Sequence, residues 1–185
     1  MTLRIGMIGA GWVTRHHLDA WRGLADRAEV VAIADPSAEA RNTRAADYGI
    51  AGIHADAAAM LASEKLDAVD IASPREFHAA HVRLSARAGL AILCQKPLAP
   101  SFADAEALVA EIGGRVPFMV HENWRFRPHY RQIRRWLDET GIGHPVQAQM
   151  SVLSSGLVPD ADGQLPALKR QPMLVSLTRC WSRKS

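Results

Sequence analysis

The apolar positions fall into short runs separated by longer stretches with helical spacing. Leu3-Arg4-Ile5-Gly6-Met7-Ile8 reads as a strand, followed by a glycine turn and a helix predicted from Val13 to Leu24. Val30 to Ala34 reads as a second strand, and Ser37 to Tyr48 as a helix that Ser37 can cap. A short strand around Ile53 precedes a predicted helix from Asp56 to Glu64. Ala68-Val69-Asp70-Ile71 is the fourth strand, with a helix predicted from Glu76 to Ala88. Ala91 to Cys94, the helix Phe102 to Ile112 and the strand Phe118 to Val120 complete the series. Strict alternation of helices with buried-type strands predicts an α/β fold, a doubly wound parallel sheet covered on both faces.

The pattern changes after His121, which places a domain boundary between residues 1–121 and 122–185. Pro128 can open a helix running to about Glu139, with Ile133, Trp136 and Leu137 on its apolar side. Val146 to Leu153 alternates like a half-exposed antiparallel strand, and residues 154–172 are rich in Gly and Pro. The 64 residues after His121 are too few to bury a large sheet, so this second, α+β part reads as incomplete.

Composition narrows the classes. With 185 residues, 48% hydrophobic and 22% charged, the chain has the apolar content of one full-sized core and the profile of neither disorder nor a disulfide scaffold. No apolar run approaches the ~18 residues of a membrane span, and no signal-peptide pattern opens the chain. Cys94 and Cys180 lack nearby partner ligands or thiols, which suits reduced cysteines and a cytoplasmic location. The net charge of +3 is uneven: residues 1–121 carry 12 basic and 14 acidic side chains, residues 122–185 carry 10 and 5. The basic cluster Arg125, Arg127, Arg131, Arg134 and Arg135 lies on one predicted helix and its approach. It reads as a solvated or partner-facing surface rather than a nucleic-acid site, because the aromatic interleaving of single-strand binders is absent.

The strongest chemical signal is Gly9-Ala10-Gly11-Trp12-Val13-Thr14 between a strand and a helix. Gly9 permits the tight turn, and Gly11 lets the backbone approach a pyrophosphate at the helix N-terminus. Thr14 stands where a third glycine or alanine is usual. Asp35, 24 positions after Gly11, ends the second strand where an acid can accept hydrogen bonds from ribose hydroxyls. Its negative charge opposes a 2′-phosphate, so NAD is expected over NADP, for which Arg41 is the available rescuer. Three further segments follow strand ends: Ser73-Pro74-Arg75-Glu76-Phe77-His78, Gln95-Lys96-Pro97 and His121 to Phe126. Lys96 can hydrogen-bond a substrate hydroxyl and stabilise a developing alkoxide; its bond to Pro97 is a candidate cis peptide. His16 and His17 read as structural, and His129 and His144 as surface residues. His78 and His81 stand at a metal-capable i, i+3 spacing, but no cluster completes a site and no metal is expected.

In this order, Gly9-Ala10-Gly11 with Asp35, Ser73-Pro74 with His78, Leu93 to Ala99, and Trp124-Arg125-Phe126-Arg127-Pro128 resemble the glucose-fructose oxidoreductase and inositol dehydrogenase (Gfo/Idh/MocA) family over residues 3 to about 153. The resemblance implies a dinucleotide-binding Rossmann domain, a second domain built on a large antiparallel sheet, and NAD(P)-dependent chemistry on secondary alcohols of sugars and cyclitols. It places Gly9, Gly11, Trp12 and Val13 at the pyrophosphate and Asp35 at the ribose. Ser73, Pro74 and His78 fall on the nicotinamide side, and Lys96 between nicotinamide ribose and substrate. Gln95 stands where the family usually has Glu. The family's acid-and-histidine motif in the second domain is absent from residues 122–185. The chain therefore reads as a truncated or frame-shifted member of weak or no activity. A non-catalytic dinucleotide-binding module and an interaction protein using the 125–135 face are the alternatives. The expected partners are a small polyol or sugar-like substrate and, through the second domain, a further copy of the chain.

Overall fold

The computed structural model describes residues 1–139 and residue 147. The chain divides into two units, Met1–Arg131 and Gln132–Ser185. Of the second, only the end of the last helix and residue 147 fall within the described residues. Apart from residue 147, the predicted strand from Val146 to Leu153 lies outside them, as does Cys180.

The first unit alternates β1 (Leu3–Ile8), α1 (Thr14–Arg22), β2 (Ala28–Ala34), α2 (Ala38–Tyr48), β3 (Gly52–His54), α3 (Ala57–Ser63), β4 (Ala68–Ile71), α4 (Arg75–Arg87), β5 (Ala91–Gln95), α5 (Phe102–Ile112) and β6 (Phe118–His121). A 3₁₀ turn, Asn123–Phe126, then leads into α6, Pro128–Glu139. Four elements, β1, β4, α5 and α6, match the predicted limits. The first helix is shorter than its apolar pattern implied, and β2 starts two residues earlier. The 3₁₀ turn was not anticipated.

Among the described residues all strand pairs are parallel, in the order β3-β2-β1-β4-β5-β6. The chain starts at β1, works outward to β3, then crosses back to β4 on the other side of β1. That reversal leaves a crevice at the carboxyl ends of β1 and β4, where ligands of doubly wound sheets bind.

Alternation along the strands supplies one core on each face. Met7 and Ile33 pack with Leu18 of α1 and Ala45 of α2. Their neighbours Ile8, Ala32 and Ala34 pack on the other face with Met60 of α3, Val82 of α4 and Leu108 of α5. Helix starts are fixed by side-chain caps: Ser37 Oγ accepts from the Ala40 N–H at 3.2 Å and Asp56 Oδ1 from that of Ala59 at 2.8 Å. Ser101 Oγ does the same for Asp104 at 3.1 Å. No residue of α6 is buried, so Ile133, Trp136 and Leu137 leave an apolar stripe partly exposed. No helix among the described residues is long and apolar enough to cross a membrane.

Candidate active site

The glycine turn connects β1 to α1 at the carboxyl edge. Gly9 has φ +105°, and a Cβ built there would stand 2.7 Å from the Ser73 nitrogen and 2.8 Å from the Ala72 carbonyl atoms. Only glycine fits, because the obstructing atoms are main chain. Gly11 differs: a Cβ there meets nothing within 4 Å. Protein packing gives no reason for glycine at 11, whereas close approach of a ligand to the backbone does.

Thr14, fully buried, donates its hydroxyl to the Gly9 carbonyl at 2.9 Å, so it braces the turn where a third glycine would only make room. The first turn of α1 has no side-chain cap and no acid, and Val13 occupies the capping position. Apart from the His16 N–H, which donates to the Val13 carbonyl at 3.0 Å, its first N–H groups and the positive end of the helix dipole are left to a ligand, which suits a phosphate group. Trp12 is 62% exposed, with its ring edge against His16 at 4.8 Å.

Asp35 follows β2. Its Oδ2 accepts from the Ala10 N–H at 2.7 Å and its Oδ1 from the Ser37 N–H at 2.8 Å, tying the glycine turn to the start of α2. An ionised carboxylate offers about four acceptor positions, so two remain for a ribose diol. Arg41 donates to the carbonyls of Asp35 and Pro36 at 3.1 and 3.2 Å, which holds its guanidinium beside this corner.

The segments after β4 and β5 are joined by His78. Its Nδ1 lies 2.7 Å from the Pro97 carbonyl and its Nε2 2.8 Å from the Ser73 carbonyl, and the ring is buried. His78 thus clamps the Ser73-Pro74 segment to Lys96-Pro97. The Lys96–Pro97 peptide is cis. Ser73 Oγ bonds His81 Nδ1 at 2.9 Å. Lys96 is exposed, and its N–H donates to Gln95 Oε1 at 2.8 Å.

A buried network absent from the sequence reading lies beneath Lys96. Asp70 on β4 is fully buried. Both its oxygens face His17 Nδ1, at 3.0 and 2.9 Å, and Oδ2 also accepts from the Trp21 indole at 2.8 Å. The other His17 nitrogen meets Gln95 Nε2 at 2.9 Å. The His121 ring stands edge-on to His17 at 4.7 Å, with its own Nδ1 buried and without a partner among the described residues. An aspartate inside the apolar run of β4 was the one local signal for this network. His17 faces inward from α1, and His16 outward.

Burial, reinforced by His78, holds the His81 imidazole below its ordinary value. Burial and then His17 do the same to His121, against opposing pulls from Asp70 and Glu122. Both rings therefore favour the neutral form in the fold. Their stabilisation is present above about pH 6.5 and is lost as pH falls below it, because the unfolded chain then binds more protons. The urea midpoint should hold steady from pH 8 to 7 and fall between pH 6.5 and 5, before most carboxylates titrate. His81→Gln should flatten that fall; a midpoint constant down to pH 5 would contradict the assignment.

This geometry agrees with what the chain resembles among known proteins. Residues 3–115 match the Gfo/Idh/MocA oxidoreductase family with its NAD-binding Rossmann fold. The chain belongs to that family. A D-apiose dehydrogenase of Paraburkholderia graminis is 44% identical over 151 residues, covering 80% of this chain and 40% of the relative. An inositol 2-dehydrogenase of Saccharopolyspora erythraea is 34% identical over 149 residues, covering 79% and 44%. Among solved structures, an oxidoreductase from Agrobacterium radiobacter in complex with NAD+, L-tartaric acid and magnesium superposes with a TM-score of 0.74 at 32% identity, covering 78% of this chain and 42% of that one. The chain spans less than half the length of these Gfo/Idh/MocA relatives.

Proposed function

We propose that the chain binds NAD at the carboxyl edge of its sheet and is the cofactor-binding part of a dehydrogenase acting on a secondary alcohol of a polyol or sugar. The observation that carries this reading is the contrast at the turn: Gly9 is required by its own backbone surroundings, and Gly11 faces open space beside an uncapped helix N-terminus. Gly9, Gly11, Trp12 and Val13 hold the pyrophosphate, and Asp35 takes the ribose hydroxyls with its remaining acceptor positions. Ser73 and Pro74, fixed by His78, border the nicotinamide side.

Nicotinamide, when bound, supplies the hydride acceptor. Lys96, exposed at the same edge and rooted by Gln95, orients the carbinol oxygen and stabilises negative charge on it. The proton leaving that oxygen needs a second positioned acceptor, which belongs to the part of a substrate pocket outside residues 1–139. A cytoplasmic location, where the dinucleotide and a reduced Cys94 coexist, belongs to the same reading, as does self-association through the residues after 121. The relatives' names support the substrate class: apiose and inositol both present vicinal hydroxyls.

The test is a fluorescence titration with NADH and NADPH. NADH should bind at least roughly tenfold more tightly, a difference of about 1.4 kcal/mol. Asp35→Ala should weaken NADH and narrow the gap, since it removes both the acceptors and the charge that opposes a 2′-phosphate. Equal affinities in the unsubstituted chain would contradict the NAD assignment.

A further inference from the structure

The main-chain N–H of Lys96 is a donor and nothing else, so the group it meets must accept. Gln95 therefore presents its carbonyl Oε1 to Lys96 and its NH₂ to His17. An NH₂ only donates, so His17 Nε2 must be bare. His17 Nδ1 then carries the proton, and it faces both oxygens of Asp70. One orientation of one amide thus fixes the tautomer of a buried histidine, and the reverse also holds.

We infer that His17 is a positioning residue for Lys96, acting through Gln95, and that a second proton on His17 releases the Lys96 main chain. This rests on the reading of Lys96 as the group that meets substrate. When Nε2 gains a proton it can no longer accept from the amide. The amide must turn, offering Oε1 to His17 and its NH₂ to the Lys96 N–H, and two donors then confront each other. Lys96 loses its acceptor in that state.

The groups facing His17 leave this exchange to Gln95. Asp70, from β4, accepts from Nδ1 in either state. The Cys94 thiol on β5 lies in the core on the opposite face of the sheet from α1 and, pushed up to about 12 by burial and by Asp70, stays protonated. His121, at the end of β6, meets His17 through a ring edge and favours its neutral form. Trp21 donates to Asp70 throughout. A carboxylate at 95 would behave differently, since its two oxygens can accept from His17 and from Lys96 at once.

The experiment is ¹⁵N NMR of the full chain without cofactor. At pH 8, His17 should show a protonated Nδ1 and a bare Nε2, with a slowly exchanging Lys96 amide. As pH is lowered, the Lys96 amide should shift in step with the appearance of a proton on His17 Nε2 and lose protection on the order of tenfold, the equivalent of one hydrogen bond. In Gln95→Glu, Nε2 should carry a proton at pH values where it is bare in the parent chain, and the Lys96 amide should stay protected throughout. A Lys96 amide indifferent to His17, or a protonated Nε2 in the parent at pH 8, overturns the inference. Should Gln95→Glu fail to fold, the parent titration decides alone. NADH added to the same sample separates the two readings: coupling without NADH binding upholds the relay and rejects the cofactor assignment.

Discussion

Gly9→Ala will lower stability by roughly 2–5 kcal/mol, while Gly11→Ala, two residues away, will leave stability within about 0.5 kcal/mol of the parent. At Gly9 two costs combine. The backbone sits at φ +105°, where an L side chain costs roughly 1–2 kcal/mol. The added Cβ also lies within 2.8 Å of Ala72 and Ser73 main-chain atoms, which cannot step aside as a flexible side chain would, and overpacking of that kind costs typically ~1–3 kcal/mol. The thermal midpoint should fall by roughly 5–20 °C. Gly11 carries neither cost, because its Cβ would enter open space. The loss at Gly11 should appear instead in NADH affinity, as a weakening of about tenfold or more with an unchanged melting curve. Melting curves and NADH titrations of the two variants check the contrast. If Gly11→Ala destabilises as much as Gly9→Ala, the space around Gly11 is structural and not a ligand's.

The second large effect is a separation of binding from turnover. In the proposed site, dinucleotide affinity draws on the glycine turn, the α1 N-terminus and Asp35, all contained in the first 35 residues, and the Ala10 N–H ties the turn to Asp35. Turnover needs a substrate held at near-attack distance, a proton acceptor and exclusion of water. The matched residues cover 40% of the apiose dehydrogenase and 44% of the inositol dehydrogenase, so whatever the rest of those relatives contributes to turnover has no matched residue in this chain. Loss of one positioned acid–base group costs typically ~10²–10⁴ in rate, and poor substrate positioning adds to it. The 185-residue chain should therefore bind NADH yet oxidise a panel of polyols and sugars with NAD at least ~10²-fold below ordinary enzyme rates of about 1–10³ per second. Turnover within that ordinary range would show that the residues after 121 complete a working pocket.

Much of this was legible because the deciding interactions are local. Strand and helix periods differ, so the alternation of β1 to β6 with five helices could be read from apolar spacing, and parallel pairing follows from the alternation. The caps at Ser37, Asp56 and Ser101 act over three residues, although only the first was singled out. The glycine turn and Asp35 carry their chemistry in residue type and spacing.

What escaped the sequence is long-range. His17, Asp70 and Gln95 are brought together across 53 and 78 positions, and nothing around His17 announces that it turns inward. Only Asp70 hints at it, as a charge in a strand that should have none. The same holds for His78, whose carbonyl partners on Ser73 and Pro97 meet only once β4 and β5 pair. Thr14 stands where a third glycine or alanine is usual; its hydroxyl bond to Gly9 gives it a purpose that size alone does not reveal.

The claim on which the rest depends is that NAD sits on the turn between β1 and α1. Backbone amide shifts of the full chain during an NADH titration test it most directly. Saturable binding is expected, with the largest shifts at Ala10, Gly11, Trp12 and Val13 and a second group around Asp35 and Ser37. No saturable binding, or shifts confined to residues away from the carboxyl edge of the sheet, would contradict it.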